Sequence, residues 1–192
     1  MTTIRYQEFE QLSARLVGTL HGRVLEIGAG TGANFDSLAA DVDWIGLEPD
    51  EASRAELDAR AEARGYRTPA LSSFAEAIPL GSASVDAVLG TAVLCSVRDP
   101  AAVLAEVRRI LRPGGRAVFA EHVAAPPGTL KRALQSAVSP LAARLDRGCR
   151  WNRDTAALLE AANLRGDLQR MEISQGMLPS VPAILFSGTV SG

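Results

Sequence analysis

The stretch VLEIGAGTGANF, residues 24–35, constrains this chain more than any other. An apolar run, long enough for a short buried strand, breaks into three alternating glycines, Gly28, Gly30 and Gly32. Glycine reaches positive φ without strain and lacks the Cβ that would hold a ligand away from the backbone. A strand that ends in such a turn and then enters a helix opens a parallel α/β sheet, in which ligands lie beyond the carboxyl ends of the strands. The helix is expected to begin near Asn34, and its free N–H groups suit an anionic group.

The rest of the chain repeats that alternation. WIGLEPD reads as a strand ending at Glu48, a weak strand lies near Ala70–Ser72, and SVDAVLGT and RAVFAEHV are two more. Helical signals fall between them. Residues 7–20 carry Phe9, Leu12, Leu16 and Leu20 at helical spacing, and EASRAELDARAEARG is closed by Gly65. DPAAVLAEVRRIL has Asp99 as N-cap and Pro100 at its first position, with Val103, Leu104, Val107, Ile110 and Leu111 as its apolar face. A further helix covers Thr155–Ala162. The runs near Leu168–Ile173 and Ala183–Val190 have no helix-length segment between them, so they pair as an antiparallel hairpin. The expectation is one α/β domain over residues 1–192: a Rossmann-like, mostly parallel seven-stranded sheet with a C-terminal antiparallel hairpin and helices on both faces.

One segment breaks the alternation. Residues 124–151 form a long crossover in which Leu130, Leu134, Val138, Leu141 and Leu145 recur at near-helical spacing, interrupted by Pro140. This reads as a substrate lid of one or two short helices. Its basic residues Lys131, Arg132, Arg144, Arg147, Arg150 and the following Arg153 outnumber Asp146. Two readings stand: an apolar-walled pocket with a basic rim, or a solvated helix face over ordinary core. A basic amphipathic stretch is also compatible with weak, reversible contact with a membrane surface.

The charges near the glycines narrow the ligand. Glu48 lies 20 residues after Gly28, at the end of a strand, where a carboxylate accepts hydrogen bonds from both hydroxyls of an adenosine ribose. Gly28-x-Gly30-x-x-Ala33 also satisfies the loose dinucleotide fingerprint, which is weak alone. Glu26, two residues before the first glycine, would repel a pyrophosphate and attract the ammonium of a methionine moiety, directly or through water. No Arg or Lys lies within LEIGAGTGANF, and Ala33 and Asn34 follow Gly32 where a phosphate-binding loop needs lysine. Each acid has an ordinary reading as a solvated or structural group. Their combination with the glycines favours a cationic, sulfonium-bearing adenosine cofactor.

Composition removes several classes. The net charge is −2 and 22% of residues are charged, so no global field favours nucleic acid. Cys95 and Cys149 are the only two cysteines, too few for a disulfide framework or a metal-ligand cluster. They fit a reducing cytoplasm, and no metal is expected. The opening MTTIRYQEFEQLSARL carries acids, unlike a signal peptide, and no window reaches the ~20 apolar residues of a spanning helix. No Asn/Asp-Pro-Pro-aromatic tetrapeptide is present to grip a flipped base.

Taken together, LEIGAGTG, GLEPD, SVDAVLGTAVLCSV and VRRILRPGGRAVFAEHV resemble, in order and spacing, the motifs of class I S-adenosylmethionine-dependent methyltransferases over residues 24–123. GTGANF, VLCSV, LRPGG, EHV and DRGC further resemble the methyltransferase-like protein seven group of alkyl-thiol S-methyltransferases. That likeness implies methyl transfer from S-adenosyl-L-methionine to a small apolar thiol, with S-adenosyl-L-homocysteine as product. Members of the group carry an N-terminal membrane anchor, for which this chain has little room before its first strand. The family places an acid after the third strand to reach adenine. Here that position, in SSFAEAIPL, is Phe74, so adenine is expected to rest on backbone and apolar contacts near Phe74 and Ala75. The implied cofactor-binding set is Glu26, Gly28, Ala29, Gly30, Gly32, Asn34, Glu48, Pro49, Phe74, Ala75 and Thr91.

On the acceptor side, His122 is the candidate general base, with a strand-end hydrogen bond as the ordinary alternative. Cys95 is expected near the methyl group as a small buried hydrophobe. A thiol acceptor ionises near pKa ~8.5 and needs no strong base. Three other readings remain open at this level: N- or O-methylation of a lipid or secondary metabolite, a dinucleotide-dependent oxidoreductase, and a cofactor-binding module without catalysis.

Overall fold

The computed structural model describes residues 2–145, 148–174, 176 and 179–190. Its centre is a seven-stranded sheet. In chain order the elements are β1 (Thr2–Arg5), α1 (Tyr6–Val17), β2 (Arg23–Ile27), β3 (Asp43–Leu47), α2 (Glu51–Ala63), β4 (Val85–Thr91), α3 (Pro100–Ile110), β5 (Leu111–His122), α4 (Leu130–Leu145), α5 (Thr155–Ala161), β6 (Leu164–Ser174) and β7 (Val181–Val190). The strands lie in the order β1-β6-β7-β5-β4-β2-β3. All neighbours run parallel except β7, which is antiparallel to both β5 and β6. The C-terminal hairpin therefore forms as expected, with β7 inserted beside β5.

Both faces of the sheet are buried, and the alternation along each strand shows why. Leu25 and Ile27 of β2, Val88 of β4 and Phe119 of β5 pack under α3 and α5 with Val103, Val107 and Leu159. Val24, Leu89 and Val118 point to the other face, against Val17, Trp44 and Leu57 of α1, β3 and α2. Asp99 caps α3 by accepting from the N–H groups of Ala101 and Ala102, with Pro100 at its first position. Gly65, at φ +90, closes α2.

Three expectations are corrected. No full helix follows the glycine turn, only one 3₁₀ turn at Phe35–Ser37, so no helix N-terminus is offered to an anion there. The weak strand near Ala70–Ser72 reduces to a single bridge, Leu47 to Leu71. The seventh strand is instead β1, which pairs in parallel with β6 from Thr2↔Met171 to Arg5↔Ser174.

The crossover at 124–151 contains one helix of 16 residues, and Pro140 lies within it without ending it. Tertiary hydrogen bonds hold the helix before that proline: Gln135 bonds Ala125 N–H and Val123 C=O, and Ser139 bonds Asn152. Within the leucine stripe, Leu130, Leu134 and Leu141 face outward, exposed by 87%, 63% and 58%. Gln135 and Ser139 are buried instead. Asp146 and Arg147 lie outside the described residues. Among those described, no helix is long and apolar enough to cross a membrane.

Candidate active site

Parallel pairing brings the ends of β2, β3, β4 and β5 to one edge of the sheet. The chain passes from β2 to β3 on one side and places β4 on the other, which opens a crevice at that edge. A cavity of about 780 Å³ occupies it.

The three glycines of the turn all have positive φ, at +62, +56 and +84 for Gly28, Gly30 and Gly32. Their missing side chains serve different neighbours. A Cβ on Gly28 would come within 2.5 Å of Val93, and one on Gly32 within 2.3 Å of the Phe35 ring. A Cβ on Gly30 would meet nothing within 4 Å. Gly28 and Gly32 thus allow close packing, and Gly30 alone leaves space open on the cavity.

Glu48 holds that turn. Its Oε2 accepts from Gly30 N at 2.8 Å and its Oε1 accepts from Asp50 N at 2.9 Å. Ala29 N donates to Leu47 O at 3.2 Å, tying the turn to the end of β3. Glu48 is mostly buried, yet it lines the cavity. A carboxylate oxygen has room for more than one donor, so both oxygens can accept further hydrogen bonds.

Glu26 sits lower in the site than Glu48. It is buried and does not line the cavity. Its Oε1 accepts from Asn34 Nδ2 at 2.7 Å and its Oε2 from Trp44 Nε1 at 2.8 Å. Burial pushes its pKa up, opposed by those two hydrogen bonds. These two bonds tie the glycine turn to β3. Asn34 carries that tie onward, donating to Thr91 Oγ1 at 3.0 Å.

Of the residues singled out in the sequence, the cavity brings together Gly28, Gly30, Glu48, Pro49, Phe74, Ala75, Thr91 and His122. Glu26, Ala29 and Gly32 are buried beside it, and Asn34 is half-buried. Phe74 is exposed at the rim, with the Arg98 guanidinium 5.0 Å from its ring centre. Three of the basic residues in and after the crossover are engaged within the fold. Lys131 is tied to Glu172 and Ser180, Arg132 to Ala125 O, and Arg153 to Leu94 O and Val97 O. Arg98 is the basic side chain on the cavity wall, among the described residues.

Three residues on the acceptor side take parts that the sequence did not assign them. Glu121, the neighbour of His122, turns away from it and accepts N–H bonds from Val93, Leu94 and Cys95 at 2.9, 2.9 and 3.2 Å. Burial raises its pKa well above the usual carboxylate range, and nearby Cys95 adds to that. Arg153 grips the same turn from the carbonyl side, at Leu94 and Val97. Together they shape the wall formed by Ala92, Val93, Ser96 and Val97. One signal was available: an acid at position 121 inside the apolar strand RAVFAEHV. The third residue is Cys149, which lines the cavity where Cys95 does not.

Known proteins share this fold and sequence. Residues 25–119 match the methyltransferase domain family. Human thiol S-methyltransferase TMT1B is 36% identical over 166 residues, covering 84% of this chain and 68% of that protein. The solved structure of YcgJ from Bacillus subtilis superposes with a TM-score of 0.77 at 18% identity, over 97% of this chain and all of that one (100%). The 1,6-didemethyltoxoflavin-N1-methyltransferase of Burkholderia thailandensis, solved with S-adenosylhomocysteine, superposes with a TM-score of 0.70 at 18% identity, over 97% of this chain and 80% of that one. The two structures share the fold, and the human relative carries the kinship: the chain belongs to the class I S-adenosylmethionine-dependent methyltransferases, in the group of the thiol S-methyltransferases.

Proposed function

We propose that this enzyme transfers the methyl group of S-adenosylmethionine to the sulfur of a small, apolar thiol. The observation that carries the reading is the open Gly30–Glu48 cradle, which shares one cavity with an apolar wall that includes Phe74, Val93, Val97 and Cys149. The donor set fits the cofactor: a carboxylate at a strand end for ribose hydroxyls, and a turn with space where a Cβ would stand. Glu48 would hold the ribose, Gly28 and Gly30 the backbone side, and Pro49, Phe74, Ala75 and Thr91 the remaining walls. Glu26, Ala29, Gly32 and Asn34 would keep the turn in shape from behind. When bound, the sulfonium supplies an already activated methyl group, so the protein's task is to align the acceptor and exclude water. His122 is assigned to positioning the acceptor or taking its proton. Identity to thiol S-methyltransferases supports sulfur as the acceptor atom.

The same reading assigns the outward face of α4 to the surface of an anionic membrane, where apolar thiols concentrate. Arg132 and Arg144 give that helix positive charge, Lys131 being paired with Glu172, and it carries no acid within 130–145.

A panel of alkyl thiols, amines and phenols, incubated with the enzyme and labelled cofactor, tests the reading by product mass. The expected product is a methyl thioether, formed faster as pH rises and a larger share of the thiol is thiolate. Methylated amine or phenol without thioether would move the acceptor to nitrogen or oxygen.

A further inference from the structure

The two cysteines lie 54 residues apart in sequence, yet their sulfurs are 3.2 Å apart. Cys95 sits on the turn after β4, and Cys149 on the segment after α4. The chain after Cys149 is fastened to the Cys95 turn, and the chain before it passes close by. Arg150 N donates to Cys95 O at 2.9 Å, and Arg153 grips Leu94 O and Val97 O. Gly148, at φ +89, passes so close that a Cβ there would come within 3.1 Å of Ser96 O. A disulfide bond of 2.03–2.05 Å needs the sulfurs to close by only about 1.2 Å.

The pair is also divided in a useful way. Cys149 lines the cavity, and Cys95 lies behind it, fully buried. Contact with Cys149, together with burial, pushes the Cys95 thiol up, so Cys95 stays protonated while its partner is reduced. A sulfur reagent entering the cavity therefore meets Cys149 first, and Cys95 waits within reach of whatever forms there.

We propose that Cys149 and Cys95 form a thiol–disulfide exchange site in the acceptor cavity, taking small apolar disulfides as substrate. This rests on the proposed function in one respect: such disulfides are the oxidised form of the thiol acceptors. The Cys149 thiolate attacks one sulfur of the disulfide. A mixed disulfide forms, the small S–S bond breaks, and the first thiolate leaves and takes up a proton. Cys95 then gives up its proton and attacks Cys149 Sγ, which releases the second thiolate. Two electrons pass from the protein dithiol to the small disulfide. The balance is two protein thiols and one disulfide giving one protein disulfide and two small thiols. An external dithiol returns the pair to its reduced form.

The test uses the whole protein without S-adenosylmethionine, exposed to diethyl disulfide under anaerobic conditions and followed by intact mass and peptide mapping. The expected result is a chain lighter by two hydrogens, a Cys95–Cys149 cross-linked peptide, and two ethanethiols released per chain. Cys95→Ser should stop at an ethylthio adduct on Cys149, and Cys149→Ser should show neither product. Circular dichroism, with Cys95→Ala alongside, identifies a variant that fails to fold, and the wild-type mass decides the matter in any case. A wild-type chain that keeps both thiols, halts at the mixed disulfide or links two chains would overturn the proposal. The methylation assay reads separately: a normal bridge without thiol methylation removes the acceptor reading alone, and methylation without a bridge removes the exchange site alone.

Discussion

At residue scale, Glu26 and Glu48 show how two acids beside one turn are placed differently, Glu26 within the packing and Glu48 on the cavity wall. Both end up near the glycine turn, and from the sequence they look alike. The indole of Trp44 separates them: its Nε1 donates to Glu26 Oε2, and its ring packs edge-on to Phe35 at 4.8 Å. Phe35 in turn fills the space left by Gly32. Trp44→Phe keeps most of the ring and removes the donor, which leaves a buried carboxyl oxygen unmatched. Urea unfolding should show a loss of about 1–3 kcal/mol. The bond from Trp44 to Glu26 was not legible beforehand, because the two lie 18 residues apart on neighbouring strands. Glu48 was legible, because a strand end and a spacing suffice to place it.

At the scale of elements, α4 is the instructive case. The spacing of its leucines identifies a helix and gathers them on one side. It does not say which side meets the protein. That was decided by Gln135, whose two hydrogen bonds reach Val123 and Ala125 just after His122 and hang the helix on the end of β5. Gln135→Ala orphans an N–H and a C=O together, and should lower the unfolding free energy by about 1–3 kcal/mol. Leu134→Gln should change stability by no more than about 0.5 kcal/mol, since that side chain already faces solvent. If α4 meets lipid, the same substitution lowers co-sedimentation with anionic vesicles, and unchanged co-sedimentation would remove that contact. Other elements were hidden for plainer reasons. TTIR, as β1, is short and mostly exposed, so it carries no apolar alternation. Ala70–Ser72 gains only one bridge beside Leu47.

For the whole molecule, two buried acids set how stability follows pH. Burial raises Glu26 and Glu121 in the folded state. The folded chain therefore holds protons that the unfolded chain releases. Their stabilisation is complete below the ordinary carboxyl range and is lost as pH rises through the raised values. Asp86 and Glu106 act in the opposite sense. Hydrogen bonds from Arg23 N and the Arg112 side chain lower Asp86, and the Arg109 side chain lowers Glu106, so their contribution is lost in acid. Urea midpoints should fall as pH is raised from mildly acidic values through the range where Glu121 ionises. Glu121→Gln should flatten that decline, and an unchanged slope would mean that Glu121 is not raised. The layered sheet itself was readable, since buried parallel strands are apolar runs punctuated by caps and glycines. The meeting of Cys95 with Cys149 was not, because no local pattern links sites joined only through the fold.

The central claim is that Glu48 and the open turn at Gly30 hold the adenosine end of S-adenosylmethionine. Calorimetric titration of S-adenosylhomocysteine and of NADH into the wild type, Glu48→Ala and His122→Ala tests it most directly. The account predicts that S-adenosylhomocysteine binds and NADH does not, that Glu48→Ala weakens binding by about 10- to 100-fold, and that His122→Ala weakens it by less. Uptake of NADH with S-adenosylhomocysteine ignored, or a larger loss in His122→Ala than in Glu48→Ala, would contradict it.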